Sequence, residues 1–353
     1  MADGKEWTHT EMTELLTRLD SEPTLRAQLR QLAARTKLER YGKGVFLRGL
    51  IEFSSICRQD CSYCGLRASN KQADRYRLHP EEILACCAEG YELGYRTFVL
   101  QSGEDYWFTA ARLTKLIREI KSRFADVAVT LSIGERDDET YEQLYEAGAD
   151  RFLLRHETAS PSLYAKLHPT MTIESRRSRL LALQRIGFQI GAGCMVGLPG
   201  QTNSELADDL VYLHSLSPDM IGIGPFLPHS NTPLREASQG SMEKALDIIS
   251  LSRLVVPDAL IPASTAMGTI HPQGREKALQ AGANVVMPNL SPLAVRPKYA
   301  IYENKICLGD ESAQCRHCLE LRIRGAGFEV DMGRGDSLRV QRQLMRQGDR
   351  VRT

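Results

Sequence analysis

Residues 138–155 read DETYEQLYEAGADRFLLR. The stretch 138–147 has the pattern of an amphipathic helix, Gly148 ends it, and an apolar run follows from Arg151. That phrase recurs along the chain. EAGADRF (146–152), RIGFQIG (185–191) and QAGANVV (280–286) each pass from a helix end through a glycine into a short β-branched or aromatic run. Gly94 stands in the same relation to the run that follows it, as Gly187 and Gly282 do in theirs.

Working outward, apolar runs begin near Val45, Thr97, Val127, Arg151, Phe188, Met220, Leu260 and Asn284. Their spacing averages about 34 residues, room for a strand, a helix and two loops. Helical stretches at 80–92, 109–124, 138–147, 174–186, 203–215, 241–256 and 274–281 fall between them. Eight βα periods predict an α/β fold with a complete (β/α)8 TIM barrel. The same periodicity fits an open, doubly wound sheet. Either architecture puts the chemistry at the C-terminal ends of the strands.

The flanks differ from this core. Residues 1–42 read as an N-terminal helical lead-in, with Leu15, Leu16, Leu19, Leu25, Leu29, Leu32 and Leu38 at helical spacing. It is broken at 21–24, where Ser21 is expected to cap and Pro23 to open the second helix. The barrel is expected over 43–297, and the pattern decays through Pro288, Pro292 and Pro297. A Cys-bearing segment (298–330) and a basic tail (331–353) follow. The tail carries six Arg against three Asp and few large apolar residues, so it is expected to be poorly ordered or laid over the surface. Its Gly333-Arg334-Gly335-Asp336-Ser337 spells an adhesion tripeptide, without meaning in an intracellular chain.

Bulk composition removes several classes of function. The 353 residues hold 45 Lys+Arg against 44 Asp+Glu, a net charge of +1 that gives no argument for nucleic acid or an anionic membrane. No apolar run is long enough to span a bilayer. MADGKEWTHTEMTELL lacks the basic-then-apolar layout of a secretory signal, so a cytoplasmic location is expected. Nine cysteines, an odd number, make a poor disulfide framework there and leave metal, catalysis or packing.

The first strand runs through Ile51-Glu52-Phe53-Ser54 into Cys57, Cys61 and Cys64, a CxxxCxxC spacing. Three thiolates on one loop can converge on a soft metal centre. They cannot close a four-iron cluster, so one iron stays open to an outside ligand. Tyr63, between the second and third Cys, would cover it. A zinc site short of one ligand and three buried thiols are the alternatives. Elsewhere the second run ends in Gln101-Ser102-Gly103-Glu104-Asp105, small residues beside a carboxylate that suit an ammonium group. The fourth ends in Arg155-His156-Glu157-Thr158, where Arg155 and Glu157 can hold a zwitterion or form a structural ion pair. His156 and Cys194 read as packing, as do the adjacent Cys86 and Cys87. The glycines at 191, 193, 197 and 200 miss the dinucleotide-loop register and suit close approach of a ligand to the backbone.

The triad on this loop resembles the radical S-adenosylmethionine (SAM) superfamily. That resemblance implies a 4Fe-4S cluster held by Cys57, Cys61 and Cys64, with SAM on its open iron, and Ser102-Gly103-Glu104 resembles the superfamily's GGE element. Within it, IEFSSICRQDCSYCGLR, LLRHETASPSLYAKLHP, IPASTAMGTI and PKYAIYENK are similar to the HydE family of FeFe-hydrogenase maturases. Biotin synthase and the lysine mutase of pyrrolysine synthesis share the barrel and some of these phrases, and another such enzyme or a non-enzymatic iron–sulfur carrier stays open. The HydE likeness implies reductive cleavage of SAM to a 5′-deoxyadenosyl radical that reacts with a small iron–carbonyl–cyanide–cysteine complex. It implies the partner maturases HydG and HydF and an electron donor such as ferredoxin or flavodoxin. It places Tyr63, Gln101, Arg155, Glu157, Arg176 and Tyr299 around SAM or substrate, and Thr265, Ala266, Met267 and Gly268 on the opposite wall. Thr130 and Met220, read as lying at or near strand ends, are weaker candidates. An anionic substrate needs a positive lining, for which Arg155 stands first. Cys307, Cys315 and Cys318 resemble the accessory motif of many HydE proteins and imply a second iron–sulfur cluster; with His317 they also match a Cys3His zinc site.

Overall fold

The structure, a computed structural model, describes residues 7–306 and 316–342. In chain order, α1 (His9–Ser21) and α2 (Pro23–Tyr41) precede β1 (Gly44–Leu47) and β2 (Gly49–Ser54), two parts of one strand parted only by Arg48. Then come α3 (Pro80–Glu92), β3 (Thr97–Ser102), α4 (Ala110–Arg123), β4 (Ala128–Ser132), α5 (Asp138–Glu146) and β5 (Arg151–Leu153). The chain continues through α6 (Pro161–Leu167), α7 (Ile173–Ile186), β6 (Gln189–Ala192), β7 (Met195–Val196), α8 (Asn203–Leu216), β8 (Met220–Ile221) and β9 (Gly224–Pro225). It ends with α9 (Met242–Val255), α10 (Thr265–Ile270), α11 (Gly274–Gln280), β10 (Val285–Val286), α12 (Arg316–Gly325) and β11 (Glu329–Asp331).

Side-chain caps explain where the helices start. The side chains of Thr109, Asp137, Thr172, Thr202 and Ser241 each accept from a backbone N–H of the first turn of the following helix. Gly148 and Gly187, at φ 105° and 117°, make the left-handed turn out of α5 and α7, and Gly94 and Gly282 do the same elsewhere. Ser21 does not cap. It is the last residue of α1, its hydroxyl donates back to the Arg18 carbonyl, and Glu22 precedes Pro23 without a side-chain capping bond.

β2, β3, β4, β5, β6 and β8 form a six-stranded sheet, parallel throughout. Parallel pairing continues beyond it through the bridges Met220–Leu260 and Pro262–Val285. β10 then pairs with β1, at Phe46–Val285 and Leu47–Val286. All eight expected runs are therefore stations in this circuit. The seventh is only a pair of bridges, too short to count as a strand. The lead-in helices pack outside, α1 on α8 and α2 on α9. No described helix is long and apolar enough to cross a membrane.

The described part of the tail, residues 331–342, is bonded to the strands. β11 pairs in parallel with β1, and residues 334–339 lie across the N-terminal end of the strands. Arg151, fully buried at the start of β5, donates to Asp336 at 2.6 Å and to the Arg334 carbonyl at 2.7 Å. Gln189 also donates to Asp336, and Ser337 and Arg339 donate to Asp219. The polar residues that made this tail look disordered are the ones that bond the strand starts.

Candidate active site

The loop after β2 is braced before any ligand is considered. Arg75 donates to the carbonyls of Ser55, Leu66 and Arg67 at 2.6–2.8 Å. Asp60 accepts from both Arg67 and Ser69, and these bonds hold its carboxyl well below the usual range. Cys57, Cys61 and Cys64 consequently line one cavity of about 350 Å³ at the C-terminal ends of the strands. Burial pushes all three thiols up, and Cys64 reaches about 12 with Cys57 adding to the rise. Gathered on one cavity wall, the three thiols would suit a soft cationic metal centre, whose charge would favour their thiolates.

β3 delivers the opposite side of that loop. Cys57 Sγ accepts from the Glu104 N–H at 3.4 Å. A Cβ on Gly103 would lie 2.3 Å from the Ile56 oxygen and 2.7 Å from Cys57 Cβ, so only glycine permits this approach. Glu104 is buried and accepts from Gln59 at 2.5 Å and from the Glu135 N–H at 2.9 Å. Gln101 reaches Tyr299 Oη at 3.4 Å, and the Ser102 hydroxyl turns to the Gly103 carbonyl.

Across the cavity, Arg155 is paired with Glu157 through two donors. Burial alone would depress this guanidinium and raise this carboxyl, but each partner's charge reverses that, so both stay ionised. Glu157 has φ 66°, an unfavourable left-handed conformation, held by backbone bonds to Gly193 and Met195. Arg176 donates to Glu135 at 2.7 Å and to the Arg155 carbonyl. Lys305 pairs with Glu52 at 2.5 Å. Each cation in the wall thus faces a carboxylate. The Tyr63 hydroxyl lies 3.1 Å from His168 Nε2, and His168 Nδ1 lies 3.2 Å from the Tyr164 carbonyl. Burial, then Arg176, pushes His168 down to about 4.

The structure gathers Cys57, Cys61, Tyr63, Cys64, Gln101, Ser102, Gly103, Glu104, Arg155, Glu157, Arg176, Thr265, Ala266 and Tyr299 around this one cavity. It leaves others out. Thr130 and Met220 lie deeper, beside a separate space of about 20 Å³, because Thr130 is mid-strand in β4 and Met220 opens β8. Met220 Sδ there accepts from Arg48 at 3.1 Å. Met267 is buried in the core, and Gly268, on α10, packs against Ile306 and Arg275, so neither lines the cavity. His156 and Cys194 are packed behind the wall as expected, with Asp209. The Gly193 N–H points at His156 Nδ1, which leaves Nε2–H to donate to Asp209 and no free nitrogen lone pair for a metal. Sequence reasoning missed Glu135, His168, Glu52 and Lys305. Glu52, His168 and Lys305 lay in phrases already singled out, but nothing in their spacing revealed a partner. Cys307 and Cys315 lie outside the described residues, and Cys318 is on the first turn of α12.

The sequence profile of the radical SAM superfamily matches residues 51–213. The FeFe hydrogenase maturase subunit HydE of Thermotoga maritima is 46% identical over 310 residues, 88% of either chain. The chain belongs to the HydE family of radical SAM enzymes. The HydE likeness exceeds that to the 3-methylornithine synthase of Methanosarcina acetivorans, which is 31% identical over 93% of this chain and 91% of that one. Among solved structures, that of methylornithine synthase (PylB) superposes with a TM-score of 0.80 at 26% identity, covering 93% of this chain and 95% of that one. Membership in the family implies a 4Fe-4S cluster and SAM, and the three-thiol wall fits such a cluster.

Proposed function

We propose that this HydE-family enzyme acts in maturation of the FeFe-hydrogenase cofactor, on a small iron–carbonyl–cyanide–cysteine complex supplied by HydG and passed on to HydF. The observation that carries the proposal is the meeting of three loop thiols with the Arg155–Glu157 and Arg176–Glu135 pairs around one cavity, in a chain 46% identical to a HydE subunit. Cys57, Cys61 and Cys64 would hold the 4Fe-4S cluster. When bound, it supplies the electron that cleaves SAM to methionine and a 5′-deoxyadenosyl radical.

The remaining work belongs to the chain's own side chains. Glu104, kept in place by Gln59 and the Glu135 N–H, offers the carboxylate for an ammonium group. Arg176, buried and anchored on Glu135, offers charge to a carboxylate. Arg155, Glu157, Gln101, Thr265, Ala266 and Tyr299 line the same cavity. A carbon radical abstracts hydrogen from any close donor, so a buried, prearranged wall that excludes water is the needed device. Cys307, Cys315 and Cys318 would hold a second iron–sulfur cluster away from this chemistry.

Anaerobic reconstitution, reduction and addition of SAM tests the reading. The expected result is 5′-deoxyadenosine, formed faster with an iron–cyanide–cysteine complex, and none from Cys57→Ala, Cys61→Ala or Cys64→Ala. Full activity in any of those variants, or no deoxyadenosine from a protein with its four-iron cluster shown spectroscopically, overturns it. Conversion of lysine to 3-methylornithine, with no response to the iron complex, would reassign the enzyme to another branch of the superfamily.

A further inference from the structure

Two consecutive aromatic residues stand directly behind the Cys57 wall, and each is clasped by two arginines. The Tyr106 ring lies between Arg58, 4.6 Å from its centroid, and Arg136, at 4.3 Å. The Trp107 ring lies between Arg112, at 4.1 Å, and Arg77, at 4.9 Å. Of the four, only Arg77 has a carboxylate partner, Asp105, among the described residues. Arg58 and Arg112 are exposed, and Tyr106 is 51% exposed.

This ridge is joined to the cluster loop from both sides. Arg58 follows Cys57 in the chain and its N–H donates to the Glu104 carbonyl. Asp105, Tyr106 and Trp107 continue from Gly103 and Glu104, which pack on Cys57. Yet Arg58, Tyr106, Trp107 and Arg112 do not line the cavity. They form the outer side of the wall whose inner side lines the cavity.

Guanidinium groups stacked on rings keep their charge available to a partner. Exposed Tyr, Trp and Arg are also the side chains most used as binding anchors. A net charge of only +1 gives the whole molecule no broad positive field, so the attraction is local to this ridge. SAM and substrate would occupy the inner side, which leaves the outer side free for a partner that delivers an electron to the centre behind Cys57. We propose that the Arg58–Tyr106 and Trp107–Arg112 stacks form the docking surface for a small acidic one-electron carrier protein. The inference rests on the radical SAM reading above. In the docked complex the carrier is oxidised by one electron and the centre behind Cys57 is reduced by one, with no bond made or broken.

The test uses the reconstituted protein and a bacterial flavodoxin, an acidic flavin protein, as probe. Binding is read by fluorescence anisotropy of labelled flavodoxin, and electron transfer by flavin hydroquinone oxidation in stopped flow, both without SAM. Arg112→Glu and Arg58→Glu/Arg112→Glu are expected to raise the dissociation constant about tenfold or more at low salt, with the gap closing as salt screens it. Arg18→Glu, on the lead-in helix, is the control and should change nothing. Dithionite-driven deoxyadenosine formation should survive in all variants. Unchanged flavodoxin affinity and transfer in the double variant, an equal loss in Arg18→Glu, or binding of duplex DNA in place of flavodoxin overturns the proposal. Failure of the dithionite reaction in the wild type, with salt-sensitive binding intact, instead removes the enzymatic reading beneath it.

Discussion

Gly103 has no room for a side chain, and that is where single residues most affect this site. In Gly103→Ala the new methyl group would push on the Ile56 carbonyl and Cys57 Cβ. Overpacking of this kind costs about 1–3 kcal/mol. The cost falls on the cluster loop, so reconstituted iron content and the charge-transfer absorbance should drop well before the melting temperature does. His168 gives a pH signature. Its ring stays neutral in the fold down to about 4, whereas an unfolded chain protonates it near pH 6.5. Stability is therefore fully present above about pH 6.5 and declines as pH falls toward 4, by roughly 3 kcal/mol. Urea unfolding at pH 7.5 and 5 should show the decline in the wild type and a flatter response in His168→Gln. The carboxylates held low by arginines, such as Asp105, act only below that window. At this scale the sequence was legible where spacing carries chemistry, as in the Cys triad and in Arg155 with Glu157. It was silent where a partner comes from a distant loop. Glu135 anchors Arg176 and His168 meets Tyr63 across gaps that no local pattern encodes.

Among the elements, the strands were easier to read than what lies at their two ends. Each repeat announces its own helix, glycine and strand, so all eight run positions appear in the structure. α6 and α10 were not anticipated because they are short and sit inside strand-to-helix loops. β11 and the segment after it were hidden for a different reason. They are held by buried ion pairs and hydrogen bonds, and a composition rich in Arg with few large apolar groups looks the same when solvated. Asp336→Asn leaves Arg151 buried without its counter-charge. Breaking one side of such a pair costs about 3–5 kcal/mol. Melting should fall by several degrees, while iron content stays at the wild-type level, because the pair lies at the opposite end of the strands from Cys57.

For the whole molecule, the lead-in helices belong to the same hydrophobic core as the strands. Met12, Leu16, Leu19, Leu29 and Ala33 are buried, and Arg26 and Arg30 neutralise Asp247, which is fully enclosed on α9. Removal of residues 1–41 uncovers the outer faces of α8 and α9 and strips Asp247 of both partners. Such a truncation is expected to elute as soluble aggregate in size exclusion, where the full chain gives a discrete peak. The pairing of β11 with β1 bears on the order in which the molecule is made. The first strand leaves the ribosome with an open edge, and the segment that covers it follows only after every other strand has been made. Until then the strand starts expose Arg151, Gln189 and Asp219 to water. A nascent chain stalled short of residue 329 carries its whole cluster loop on a barrel without a floor. Addition of β11 and residues 334–339 is thus the step that commits the fold, and a chain that stops before them carries a full cluster loop on an unfinished protein.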